Sequence, residues 1–234
     1  MIRNNIKDIL YETKWHENIS KAMEHGACTK IDDLCKKIAI ISKQIEFVDK
    51  ENPSICFIRE MQFSLHQAAA LIGISLYKAS VASLRTFVES FLYYSYFRNH
   101  NEELKTLLRV DDYYVSKSSI IEYHNFHTFK FKERSKIFSF ESLLNEWYSK
   151  SSAIIHGQIP GDWNTHFSLL QINHSDTLLN SSIDNMEKSV SLVIKAILST
   201  MSDENWFSIT FESKREITKG IDKRKLLSAE RVII

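Results

Sequence analysis

Residues 63–98, FSLHQAAALIGISLYKASVASLRTFVESFLYYSYFR, decide how the chain is read. Val81, Leu84, Val88, Phe91 and Leu92 follow one another at three- and four-residue steps, the spacing that stacks side chains on one helix face, and the stripe runs back through Tyr77 and Ile74. The segment therefore predicts one long core helix, with Gly73 marking a kink or a close helix crossing. Arg85 lies four residues after Val81 and three before Val88, so its guanidinium falls within or beside the buried stripe, and Glu89 sits one turn further on the same face. A desolvated arginine is costly unless a carboxylate and other acceptors surround it, so the pair is either an ion pair at the core's edge or part of a site. Lys78, Arg85 and Glu89 interrupt what would otherwise be a membrane-length apolar run, which excludes a spanning helix here.

Composition supports helices. Five Gly and two Pro in 234 residues are few for a sheet protein full of tight turns and favour long helices joined by short polar loops. The chain is long enough for one sizeable domain. Within it we expect an N-terminal helical hairpin over 1–50, a core over 60–200 and a C-terminal tail over 206–234. A formal net charge of +1 sets up no global field toward nucleic acid, membrane or an acidic partner, so any steering is local. Cys28, Cys35 and Cys56 are odd in number and not closely paired, and the opening MIRNNIKDILYETKW is charged and amphipathic, which predicts a cytoplasmic protein.

Residues 1–23 read as one amphipathic helix, with Ile2, Ile6 and Leu10 on one side and Gly26 ending it, and a second helix begins near Thr29. Residues 110–138 have mixed periodicity. HTFKFKER within them alternates like a brief strand or extended loop, so the segment is read as an irregular insertion. Its aromatics interleave with Lys130, Lys132, Arg134 and Lys136, a composition that suits single-stranded nucleic acid, where rings stack on bases and cations hold phosphates. The plainer alternative is an aromatic loop packed on the bundle with its lysines in solvent. His124 and His127 share a face, but no carboxylate or cysteine at ligand spacing supports a metal, and no cofactor motif occurs.

Residues 141–161, ESLLNEWYSKSSAIIHGQIPG, predict the packing partner of the central helix. Ser139 is placed as N-cap and Gly157 as C-terminal cap. Asn145, Ser149, Ser152 and His156 form a polar stripe at steps of four, three and four, either a solvent face or the lining of a polar cleft. A histidine in the last turn is favoured as a cation by the helix dipole, which suits proton transfer, phosphate binding or a simple cap. Beyond Trp163, residues 166–176 read as an extended connection. A strong helix with Leu178, Ile183, Met186, Val190 and Ile197 inward closes the bundle, and the tail reads as a solvated terminus with one short helix.

A helix carrying LRTFVES (84–90), followed some fifty residues later by a serine-rich helix ending in IIHG (154–157), resembles the HEPN superfamily of prokaryotic helical-bundle proteins over roughly residues 60–200. Many members are ribonucleases of toxin and antiviral defence systems. They set an arginine and a polar residue ahead of a histidine on one helix and pair two such motifs across a homodimer. His156 matches the histidine, whereas only Lys150 is basic at acceptable spacing, and lysine lacks the forked phosphate contact of arginine. Arg85 would then supply the guanidinium and Glu89 the acidic partner. The expected fold is an all-α, up-and-down bundle of about six or seven helices with one irregular insertion. The resemblance implies a metal-independent ribonuclease, with no metal or cofactor, with His156, Arg85, Lys150 and Glu89 as catalytic candidates, acting as a homodimer or with a protein encoded in the same system; Lys130, Lys132 and Arg134 of the aromatic–basic segment, with Ser152, are the expected RNA contacts. The alternative is a catalytically inert helical module that binds a partner or senses a ligand.

Overall fold

The computed structural model describes residues 5–161, 163 and 166–232, and among them it is all helical, without a strand. Ile2 of the expected first helix and Asp162 of the turn before Trp163 lie outside the described residues. The central segment is two helices. α4 (Ile55–Gly73) and α5 (Tyr77–Phe97) form an antiparallel hairpin, broken where Ser75 turns left-handed at φ 63° and the Leu76 N–H reaches back to the Leu71 carbonyl at 2.8 Å. Gly73 is a close crossing: a Cβ there would lie 3.0 Å from Met23 Cε.

Before the hairpin, the expected first helix is split into α1 (Ile6–Glu12) and α2 (Trp15–Ala22) by an extended Thr13. Gly26 does not end it but lies in the first turn of α3 (His25–Val48). The turn at Asn52 then leads into α4, where the Asn52 carboxamide oxygen accepts from Ser54 N–H and Oγ–H at 3.0 and 2.7 Å. After the short α6 (Asn101–Leu107) the expected irregular insertion is instead two helices, α7 (Lys117–His127) and α8 (Phe131–Phe138). The buried face of α8 is Phe131, Arg134, Ser135 and Phe138, a helical repeat with an arginine in it, so no strand forms. Ser139 alone, left-handed at φ 54°, joins α8 to α9 (Phe140–Ile155); it makes no side-chain cap. Gly157, at φ 70°, closes α9 as expected, with the Gln158 N–H on the Ala153 carbonyl at 2.8 Å.

A 3-10 turn (Leu169–Gln171) in the extended connection leads to α10 (Asp176–Thr200). α5 is the centre of the molecule: it packs against α4, α9 and α10 and touches α7. Leu84, Phe87, Val88 and Phe91 of α5 meet a core that includes Met186, Val190, Val193 and Ile197 of α10 and Ile38, Ile41 and Ile45 of α3. At about 25 cal/mol per Å² such burial is the main driving force for the bundle. No helix among the described residues is long and apolar enough to cross a membrane.

The tail is not a solvated terminus. It forms α11 (Asp203–Ser208), α12 (Phe211–Thr218) and α13 (Lys223–Ser228), and Trp206 is fully buried. Two buried guanidiniums meet there on one carboxylate oxygen. Arg134 Nη2 donates to Asp203 Oδ1 at 2.7 Å and Arg231 Nη1 donates to the same oxygen at 2.9 Å. Backbone carbonyls take other N–H groups, Ala229 from Arg134 Nε at 3.1 Å and Leu198 from Arg231 Nε at 3.0 Å. Burial lowers Arg231 to about 10, with the Arg134 charge adding to the effect. Arg134, expected at an RNA-facing surface, is thus an interior clamp, 1% exposed.

His124 is also interior. Its ring nitrogens meet Ser95 Oγ at 2.9 Å and Thr128 Oγ1 at 2.7 Å, and burial, with the nearby His100, pushes it down to about 4 from an ordinary 6.5. The unfolded chain takes up this proton below 6.5 while the folded chain resists it until about 4, so stability is lost as pH falls through that window. Urea unfolding at pH 5 is expected to give roughly 2 kcal/mol less stability from this residue than at pH 7. His124→Gln, which keeps polar contacts and does not titrate, should flatten that part of the profile; an unchanged slope would refute the assignment.

Candidate functional site

α5 and α9 run antiparallel, and their contact brings together residues that lie some sixty apart in the chain. The Arg85 guanidinium donates from Nε to Glu89 Oε1 at 2.9 Å, from Nη1 to Ser152 Oγ at 2.9 Å, and from Nη2 to the Tyr148 hydroxyl. The Tyr148 hydroxyl donates in turn to Glu89 Oε1 at 2.7 Å. The guanidinium carbon also lies 4.2 Å from the centre of the Tyr148 ring, within cation–π range. From the head of α7, the Lys117 ammonium sits 4.8 Å from the same ring and donates to Asn145 Oδ1.

Burial and charge tune this cluster. Arg85 and Glu89 keep 24% and 37% of their side-chain surface exposed, so the cluster is at the surface, not sealed inside. Partial burial opposes the guanidinium charge, but the Glu89 carboxylate and the Tyr148 oxygen outweigh it and hold Arg85 above its ordinary value. The Tyr148 phenol is pushed up by burial and by Glu89, so it stays a hydroxyl donor. Lys117 is lowered by burial and by the Arg85 charge beside it. Two cations and one carboxylate around a phenol form a site with surplus positive charge, suited to an anion.

His156 follows Ser152 by one turn, about 6 Å along the helix axis. It is exposed, and among the described residues its ring has no hydrogen-bond partner. Beyond it, at the head of α5, Lys78 packs beside Gly157, where a Cβ would lie 3.4 Å from the ammonium, and over Trp163 at 5.1 Å.

The structure divides the remaining candidates. Lys150 lies on another face of α9 and lines a groove of about 680 Å³ between α9 and α10, with Lys188 and Lys195. Lys130 pairs with Glu230 and lies over Phe129. Lys132 lies 5.2 Å over Phe126, on the wall of a different groove between α7 and α9. Ser152 is taken by Arg85. Tyr148 and Lys117 were missed by sequence reasoning. Tyr148 had a signal, four residues before Ser152 and eight before His156 on one helical stripe, whereas Lys117 had none, because its segment read as irregular. No family model matches this chain, and no curated protein or solved structure matches it.

Proposed function

We propose that this chain is a HEPN-like, RNA-directed protein of a bacterial defence or toxin system, cutting RNA without metal at the surface shared by α5 and α9. The observation that carries the reading is the Arg85–Ser152 bond: it puts a guanidinium from α5 one turn ahead of His156, where α9 itself offers only the averted Lys150. In this reading His156 takes the 2′-hydroxyl proton and the 2′-oxygen bonds to the adjacent phosphorus. The 5′-oxygen leaves and takes a proton from water, while Arg85 and Lys117 offset the charge that builds on the phosphoryl oxygens. Tyr148 and Glu89 hold the guanidinium in place. A second copy of the chain, apposed at this surface in the cytoplasm, would double the site.

A second reading has its own observation in support. All three guanidinium nitrogens of Arg85 are occupied by protein acceptors, as in a structural network of an inert module that binds a protein partner. RNA cleavage in EDTA by wild type and His156→Ala separates the two. The exposed histidine leaves folding intact, and its removal is expected to lower cleavage at least about 100-fold. Equal cutting by a folded variant would overturn the catalytic assignment, and no cutting by either would favour the inert module.

A further inference from the structure

The groove between α7 and α9, about 510 Å³, begins at the Arg85 cluster, because Lys117 belongs to both. At its far wall Phe126 stands 71% exposed, with the Lys132 ammonium 5.2 Å over the ring. An exposed ring flanked by a cation is the arrangement on which a base stacks while its phosphate is held. The charges inside the groove say more. Lys117 and Lys132 are matched there by Glu122 and Glu141, so this is no trench for bare phosphates. Surplus positive charge lies at the Lys117 end, beside Arg85. The carboxylates are acceptors only, and Glu141, which takes the Ser135 hydroxyl at 3.2 Å, keeps lone pairs to spare. Carboxylates accept from the exocyclic amino group of cytosine, and carboxamides such as Asn125 pair with adenine; uracil lacks the exocyclic amine and offers only its single ring N3–H as donor.

We propose that the α7–α9 groove carries single-stranded RNA leading away from the Arg85 site, with a phosphate on Lys117, a base stacked on Phe126, and a preference for bases that bear an exocyclic amine. This rests on the RNA reading above and adds where the strand lies and which bases it favours. The segment 110–138 supplies one wall of the groove and α9 the other, so in this reading the segment holds the substrate next to the cutting site.

The test is fluorescence anisotropy in EDTA with labelled 2′-O-methyl oligonucleotides of about twelve nucleotides, a length that covers such a groove and cannot be cut at a blocked 2′-oxygen. Oligo(C) and oligo(A) are expected to bind about five-fold or more tighter than oligo(U), the difference disappearing in Glu122→Ala/Glu141→Ala. Phe126→Ala should weaken oligo(C) roughly ten-fold, the loss of one stacked base, and Lys117→Gln should lower the salt dependence by about one phosphate contact. Phe126 is a surface side chain, so thermal melting of that variant should match wild type and exclude misfolding. RNA bound equally by wild type, Phe126→Ala and Lys117→Gln would overturn the groove while leaving the RNA reading in place. A wild type that binds no RNA would overturn both. Full competition by an oligoglutamate peptide of equal charge would show a mere polyanion surface and overturn the base preference.

Discussion

Asp203→Asn is expected to lower the unfolding free energy by about 3 kcal/mol, and the melting temperature by roughly 6–12 °C for a chain of this size. The carboxylate accepts from two guanidiniums that are almost wholly shut from water, Arg134 at 1% and Arg231 at 0% exposure. Asparagine fills the space but brings no charge, leaving two buried cations facing each other. The lower end of the usual range applies because Asp203 itself is 38% exposed, so water relieves part of the loss. Burial raises the Asp203 pKa, but the hydrogen bond and charge of Arg134, with Arg231, outweigh it and hold the carboxyl below its ordinary 3.8. Its contribution is therefore complete above pH 3.8 and is lost as pH falls through the depressed folded value. Denaturant titrations of wild type and variant should converge below that point. A variant as stable as wild type at pH 7 would refute the clamp.

The second large effect is expected at Arg85. Arg85→Ala should lower RNA cleavage about 100-fold or more, as loss of a charge-stabilising donor does, and cost about 1–2 kcal/mol of stability. The stability cost is moderate because Glu89 and Tyr148 are partly exposed and regain water when the guanidinium is gone. Arg85→Lys is the sharper probe. A single ammonium cannot reach Glu89, Ser152 and the Tyr148 hydroxyl together, so it should restore stability in part and cleavage hardly at all. If both variants lose stability and neither alters the handling of RNA, the cluster is a structural network and the inert-module reading takes over.

Why some of this was legible follows from what each element buries. α10 could be read directly because Ile183, Met186, Val190, Val193 and Ile197 face one core, and the polar residues buried among them, Ser182 and Ser189, are small. The pairing of α5 with α9, and of Arg85 with Glu89, was visible for the same reason. The break between α4 and α5 was hidden, because the turn is made by Ser75 and Leu76, neither a helix breaker, and the apolar spacing continues across it. In α8 a clamped arginine occupies an inward position, so a helical repeat looked like alternation. The split between Lys150 and Arg85 was a matter of which way α9 faces, and only packing against α10 fixes that.

The Arg134 clamp also sets an order of events during folding. Arg134 Nε closes on the carbonyl of Ala229, a partner 95 residues later in the chain, and Arg231 follows two residues on. On the ribosome, helices α4 to α10 can collapse on one another while Arg134 still lacks Asp203 and the Ala229 carbonyl. At ~5–20 residues per second Asp203, 69 residues on, arrives roughly 3–14 seconds after Arg134, and Ala229 roughly 5–19 seconds after it. During that interval α8 presents an uncompensated cation where its inner face should dock, so α8 and the groove on its flank are completed only by the last helices to be made.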